Sequence, residues 1–105
     1  MYIARFSYEV LPVNRQRAVD FIRREVEAAR TSGLTARMLV PLTRGLTGPA
    51  LQFEVELTSL DALEQFRNSG VGSDQQTRDW IHAFSEILLS PPSVEIFRVD
   101  EGPGA

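Results

Sequence analysis

One histidine, His82, stands among eleven basic residues that are all arginine, with no cysteine in the chain. That inventory bounds the chemistry. Without cysteine there is no disulfide, thiol nucleophile or thiolate metal site. Without lysine there is no Schiff base. A single histidine cannot build a multi-histidine metal site within one chain. The glycine pairs in Gly70-Val71-Gly72 and Arg44-Gly45-Leu46-Thr47-Gly48 lack the spacing of a phosphate loop. The serines lack nucleophile-elbow spacing, and a lone histidine makes a triad improbable. No cofactor and no metal is therefore expected.

What remains is proton transfer and hydrogen bonding. The catalytic candidates are His82, Tyr8, Arg37 and Glu54. His82 alone has an unperturbed pKa near neutrality, which suits a general base. At ~100° per residue it sits opposite the apolar stripe of Trp80, Phe84 and Ile87, which reads as an exposed or interface histidine; a general base facing a pocket edge or reaching across the dimer is the alternative. Glu54 and Arg37 belong to a polar set with Arg5, Ser7, Glu9, Gln52 and Glu56. That set reads either as a polar lining with carboxylates able to move protons or as a dimer-forming face with compensating Arg–Glu pairs. Tyr8 offers a hydroxyl, which needs a partner if buried. Substrate-binding candidates are Tyr2, Phe6, Phe53, Phe66, Trp80 and Phe84. Such a group is either core or the wall of a cavity for a flat, polycyclic or polyketide-like molecule.

The elements that must position these residues follow from periodicity. Residues 2–10 alternate, with Tyr2, Ala4, Phe6, Tyr8 and Val10 on one side and Arg5, Ser7 and Glu9 on the other. That is a half-buried strand. Asn14 is placed to cap a helix running to about Ser32, with Ala18, Phe21, Ile22, Val26 and Ala29 at helical spacing. Gly33 suits the left-handed position after it. Strands are predicted over 34–43, 50–57 and 93–99. Matching apolar faces of the middle two pairs Leu42 with Leu51, Val40 with Phe53, Met38 with Val55 and Ala36 with Leu57. That register sets Leu39 opposite Glu54, and Arg37 opposite Glu56 as a cross-strand ion pair.

A second helix, capped at Thr58 or Ser59, is interrupted around Gly70–Gly72. It restarts at Ser73, with Gln76 completing a capping box. Its second half presents Thr77, Trp80, Ile81, Phe84, Ile87 and Leu88 on one face, and Pro91-Pro92 stops it. In strand four, either Glu95 and Phe97 or Val94 and Ile96 join the polar face.

A chain of 105 residues is read as one domain over 1–100 with a disordered tail at 101–105. The strand-helix-strand-strand-helix-strand order predicts an α+β, ferredoxin-like βαββαβ fold: a four-stranded antiparallel sheet, order 4-1-3-2, with two helices on one face. Net charge is −3 with scattered arginines, so no nucleic-acid partner is expected. No apolar run reaches the ~20 residues that span a bilayer. The N-terminus lacks a secretory pattern, so a cytoplasmic location is expected.

The opening Tyr2-Ile-Ala-Arg-Phe-Ser-Tyr8, the broken second helix ending Asp79-Trp80-Ile-His-Ala-Phe84, the Pro-Pro stop and Val94-Glu-Ile-Phe-Arg-Val99 together resemble the dimeric α+β barrel superfamily. That group includes antibiotic-biosynthesis monooxygenase-like proteins, small polyketide cyclases and stress-responsive barrel proteins. The resemblance covers nearly the whole chain and rests on pattern. It implies a homodimer whose two sheets face each other and a small aromatic or polyketide-like substrate. It further implies cofactor-independent oxygenation or cyclisation, with a non-catalytic dimeric ligand-binding or interaction module as the alternative. A haem-binding relative would have to use His82 as its axial ligand.

Overall fold

The structure is a computed structural model that describes residues 1–42, 51–62, 64, 84–100 and 102. In chain order it runs β1 (Tyr2–Tyr8), a 3₁₀ turn (Pro12–Asn14), α1 (Arg15–Thr31), β2 (Thr35–Leu39), β3 (Leu51–Leu57) and β4 (Ser93–Arg98). Residues 60–62, 64 and 84–86 are helical. The sheet order is β2-β3-β1-β4 with every neighbouring pair antiparallel. This is the expected 4-1-3-2 order counted from the other edge.

Helix α1 forms where the apolar stripe predicts it, and buries Ala18, Val19, Phe21, Ile22, Val26 and Ala29. Asn14 holds the N-cap position but its side chain caps nothing. The preceding 3₁₀ turn takes over that role through backbone bonding, with Arg15 N–H donating to the Pro12 carbonyl. At the other end Gly33 adopts φ +87°. The Gly33 amide donates to Arg30 O (3.0 Å) and the Leu34 amide to Ala29 O (3.0 Å). These paired bonds satisfy the carbonyls that a helix end leaves open, and they require a residue at ease with positive φ. Arg30 Nε then donates to the Ala36 carbonyl (3.0 Å), tying the last helical turn to β2.

Side chains at i, i+2 and i+4 of each strand share a face. Ala4 and Tyr8 of β1, Ala36 of β2 and Leu51, Phe53, Val55 and Leu57 of β3 are buried with α1 and with Phe84 and Ile87. Tyr2, Phe6 and Met38 are partly buried against that core. The second helical region starts at Ser59, whose Oγ accepts from the Ala62 amide (3.1 Å), so the cap is Ser59 and not Thr58. Its last turn tightens at Phe84, with the Ile87 amide donating to Phe84 O (3.1 Å). Ile87 and Leu88 are therefore outside the helix, contrary to the periodicity reading. Leu88 instead bridges to Val10 beyond the end of β1. The expected Ser73–Gln76 box and the Gly70–Gly72 break lie outside the described residues. No helix among the described residues is long and apolar enough to cross a membrane.

Two corrections concern β2. It ends at Leu39, short of the predicted 43. Its register against β3 is also two residues away from the predicted one: Arg37 lies opposite Glu54, Ala36 opposite Val55, Met38 opposite Phe53 and Leu39 opposite Gln52. A slip of two preserves which face every side chain occupies, so apolar matching cannot tell the two registers apart. Ion pairing separates them. The observed register lets Glu54 meet arginines on both sides, whereas the predicted one would set it opposite Leu39 and leave Arg37 to Glu56.

Strand β4 aligns Glu95 with Arg5 and Phe97 with Ile3, so Glu95 and Phe97 join the polar face. Val94 and Ile96 lie on the helix side, yet they are 47% and 41% exposed.

Candidate functional site

The sheet divides the expected catalytic residues between its two faces. Tyr8 lies on the helix side; Arg37 and Glu54 lie on the reverse side. His82, Phe66 and Trp80 lie outside the described residues. The remaining aromatic candidates, Tyr2, Phe6, Phe53 and Phe84, are all on the helix side or packed against it.

On the reverse face the register builds one row across all four strands: Arg37, Glu54, Arg5, Glu95. Glu54 Oε1 accepts from Arg37 Nε (3.1 Å) and Nη2 (2.9 Å). Its Oε2 accepts from Arg5 Nε (3.1 Å) and Nη2 (3.0 Å). Each arginine thus holds one carboxylate oxygen through a fork of two donors. Glu54 is only 3% exposed, on a face that no helix covers among the described residues. Burial by itself pushes its carboxyl up. The hydrogen bonds from Arg37 and Arg5 and their charges outweigh that, holding it below the usual carboxylate range. A carboxylate held ionised in this way is a weak base. Arg5 also lies over the Phe97 ring at 4.8 Å, a cation–π contact. In the next row Gln52 Nε2 donates to Ser7 Oγ (3.2 Å).

The helix side holds a different constellation. Tyr8 is 5% exposed, and among the described residues its hydroxyl has no hydrogen-bond partner. Its ring lies 5.0 Å from that of Phe84. Phe84 in turn stacks on Phe21 of α1 at 4.7 Å and 9°. One helical turn beyond Phe21 comes Glu25, half-buried on the same side of α1. Burial pushes the Glu25 carboxyl up to about 7. Burial also pushes the Tyr8 phenol well above its ordinary value, and the nearby charge of Glu25 adds to that. The phenol therefore stays protonated and is available as a donor. A carboxyl raised by burial, whose charge is felt by a buried hydroxyl, is a candidate general acid–base pair.

Glu25 was not among the sequence candidates, although a signal was present. At ~100° per residue it falls inside the arc spanned by Phe21, Ile22, Val26 and Ala29. A carboxylate set within an apolar stripe is either paired or perturbed. Among the described residues, no group of three or more histidine, aspartate or glutamate side chains is placed to ligate a metal ion.

Comparison with solved structures places this architecture. A NIPSNAP family protein from Agrobacterium tumefaciens matches with a TM-score of 0.74 at 19% identity, covering 95% of this chain and 86% of the other. An uncharacterised NIPSNAP domain protein from Burkholderia xenovorans matches at TM-score 0.74 and 11% identity, covering 96% of each chain. A crystal structure of an antibiotic biosynthesis monooxygenase matches at TM-score 0.68 and 14% identity, covering 95% of this chain and 99% of that one. The fold is the ferredoxin-like one of the antibiotic biosynthesis monooxygenase-like and NIPSNAP structures. No family model matches the sequence, and no curated protein matches it. At these identities the shared property is the fold, and the fold hosts more than one function.

Proposed function

We propose that this chain is a small homodimeric enzyme of natural-product metabolism. It takes an aromatic or polyketide-type molecule on the helix side of the sheet, beside Tyr8 and Phe84. The observation that supports this most is the buried Tyr8 hydroxyl against the Phe84–Phe21 stack, with the Glu25 carboxyl raised by burial one helical turn beyond Phe21. The fold shared with an antibiotic biosynthesis monooxygenase structure is consistent with it.

In this reading ionised Glu25 takes a proton from a phenol or an activated methylene of the substrate. Tyr8 donates a hydrogen bond to the oxygen on which charge develops. For cyclisation, the carbanion adds to a carbonyl of the same molecule, and the new alkoxide recovers the proton from Glu25. For oxygenation, the carbanion of an activated methylene reduces dioxygen and forms a C–O bond to it; the peroxide recovers the proton from Glu25, and loss of water across the C–H and O–O bonds leaves a ketone, with one oxygen atom in the product and the other in water. The aromatic walls supply orientation.

The test is incubation of the purified protein with polycyclic phenols and linear polyketide mimics, with and without air. Substrate loss and binding are followed by absorbance and mass spectrometry. Saturable turnover is expected, rising with pH through about 7 and abolished in Glu25→Gln. Neither binding nor turnover with any of them would overturn the reading.

A second reading, a non-catalytic dimeric ligand-binding or interaction module, draws support from one observation. Phe21, Phe84 and Tyr8 pack ring against ring with Tyr8 almost fully buried, as a filled core does. Binding without turnover in the same assay selects it.

A further inference from the structure

Strand β4 is exposed along its whole length, on its helix side as well as on the reverse. Val94 and Ile96 lie on the helix side and are 47% and 41% exposed. Directly opposite them on β1 stand Phe6, half-buried, and Ala4, fully buried. Further along, the register sets Arg98 opposite Tyr2, so these two share the helix side as well. One strip thus runs along β1 and β4. Tyr8 and Phe84 stand at one end, Phe6, Val94 and Ile96 in the middle, and Tyr2 with Arg98 at the other end. Tyr2 and Tyr8 are six residues apart on β1, about 20 Å of strand.

The polar groups at the far end are not spent within the described residues. Arg98 is exposed and makes no salt bridge there. Asp100, two residues on, accepts instead from the Gly102 amide through Oδ1 (2.9 Å). The Tyr2 hydroxyl makes no hydrogen bond among the described residues. A guanidinium and a phenol side by side are both donors, and the chemistry they suit is a carboxylate.

We propose that the strip binds an elongated lipophilic carboxylic acid, with its carboxylate on Arg98 and Tyr2, its chain along Phe6, Val94 and Ile96, and its far end beside Tyr8. This rests on the helix-side substrate reading above and narrows its substrate class to a polyketide-type chain with a free carboxylate, in place of an ester or thioester. Charge complementarity decides between them. A neutral chain covers the apolar middle equally well but draws nothing from the guanidinium. A carboxylate gains a charge-assisted hydrogen bond, and the exposure of Arg98 holds the gain to about tenfold in affinity. Arg98 touches no reacting atom. It is a specificity-determining residue that fixes how far along the strip the chain lies, and so which carbon reaches Tyr8.

The probes are trans-parinaric acid, a fluorescent straight-chain polyene acid, and its methyl ester, each titrated into the intact protein below its aggregation concentration. Wild type is expected to bind the acid about tenfold more tightly than the ester. Arg98→Gln is expected to remove that preference by weakening the acid alone, whereas Arg98→Lys keeps part of it. Tyr2→Phe narrows it. Ile96→Glu places a charge in the apolar middle and is expected to weaken both probes. Arg98 and Ile96 are exposed, so neither substitution threatens the fold.

Equal affinity for acid and ester would overturn the proposal, as would a preference that survives Arg98→Gln. Binding of both probes undiminished by Ile96→Glu, or binding of neither probe to wild type, would overturn it too. All four outcomes leave the underlying reading to its own test, the Glu25-dependent turnover of neutral polycyclic phenols.

Discussion

Replacing Glu54 by glutamine keeps the side-chain volume and removes the charge that two guanidiniums share. Deleting one partner of a fully buried ion pair costs about 3–5 kcal/mol. Here the arginines are not trapped: Arg5 is 34% and Arg37 60% exposed, against 3% for Glu54. Freed of Glu54 they turn to water, so the loss falls to that of charge-assisted hydrogen bonds, about 1.5–3 kcal/mol. Its pH dependence has a definite sign. The folded carboxyl sits below its ordinary value and the unfolded one near ~4.3, so between them the unfolded state binds more protons. The stabilisation is full above the unfolded value and disappears as pH falls through the folded one. The assay is urea unfolding of wild type and Glu54→Gln at one protein concentration, at about pH 7 and at steps down to about pH 2. A gap of about 2 kcal/mol at neutral pH that closes on acidification is expected. A gap under about 0.5 kcal/mol at neutral pH, or one that does not narrow in acid, would refute the clamp as a stabilising element.

Other perturbations separate the remaining parts. Glu25→Gln acts with the opposite sign: the folded carboxyl is raised to about 7, so wild type loses stability as pH climbs toward that value. The variant is expected to be more stable than wild type above pH 7 by about 1–2 kcal/mol after allowance for partial exposure, and equal to it in acid. Melting curves across pH read this directly. Phe84→Ala removes the ring held between Tyr8 and Phe21 and should cost about 3–5 kcal/mol in urea unfolding. Gly33→Ala meets no steric neighbour, so its expected loss of about 1 kcal/mol comes from the left-handed backbone alone, and the helical circular dichroism should be unchanged.

Much of the fold was legible because its signals are local. The period-two alternation of Tyr2 to Tyr8 and of Leu51 to Leu57 fixed both faces of the sheet. The stripe from Ala18 to Ala29 and the glycine at 33 fixed α1 and its end. The β2–β3 register was not legible, because a two-residue slip leaves every face unchanged and only the charge on Glu54 distinguishes the two pairings. Burial of Glu54 was hidden for a related reason. Nothing local shows that a polar-face carboxylate has an arginine on each neighbouring strand until the sheet order and both registers are known. Glu25 is the contrary case: its place in the apolar arc of α1 was visible in the spacing, but its partner Tyr8 lies on another element. The end of the second helix was overread at Ile87 and Leu88, since a buried residue past a helix end continues the apolar pattern without continuing the helix.

The central claim is a carboxyl poised near neutrality beside Tyr8. Carbon-detected NMR titration of the Glu25 side chain in the intact protein measures it most directly. A midpoint close to pH 7, accompanied by a shift of the Tyr8 ring signals at the same pH, is the result expected. A midpoint in the ordinary glutamate range, near ~4.3, would contradict it.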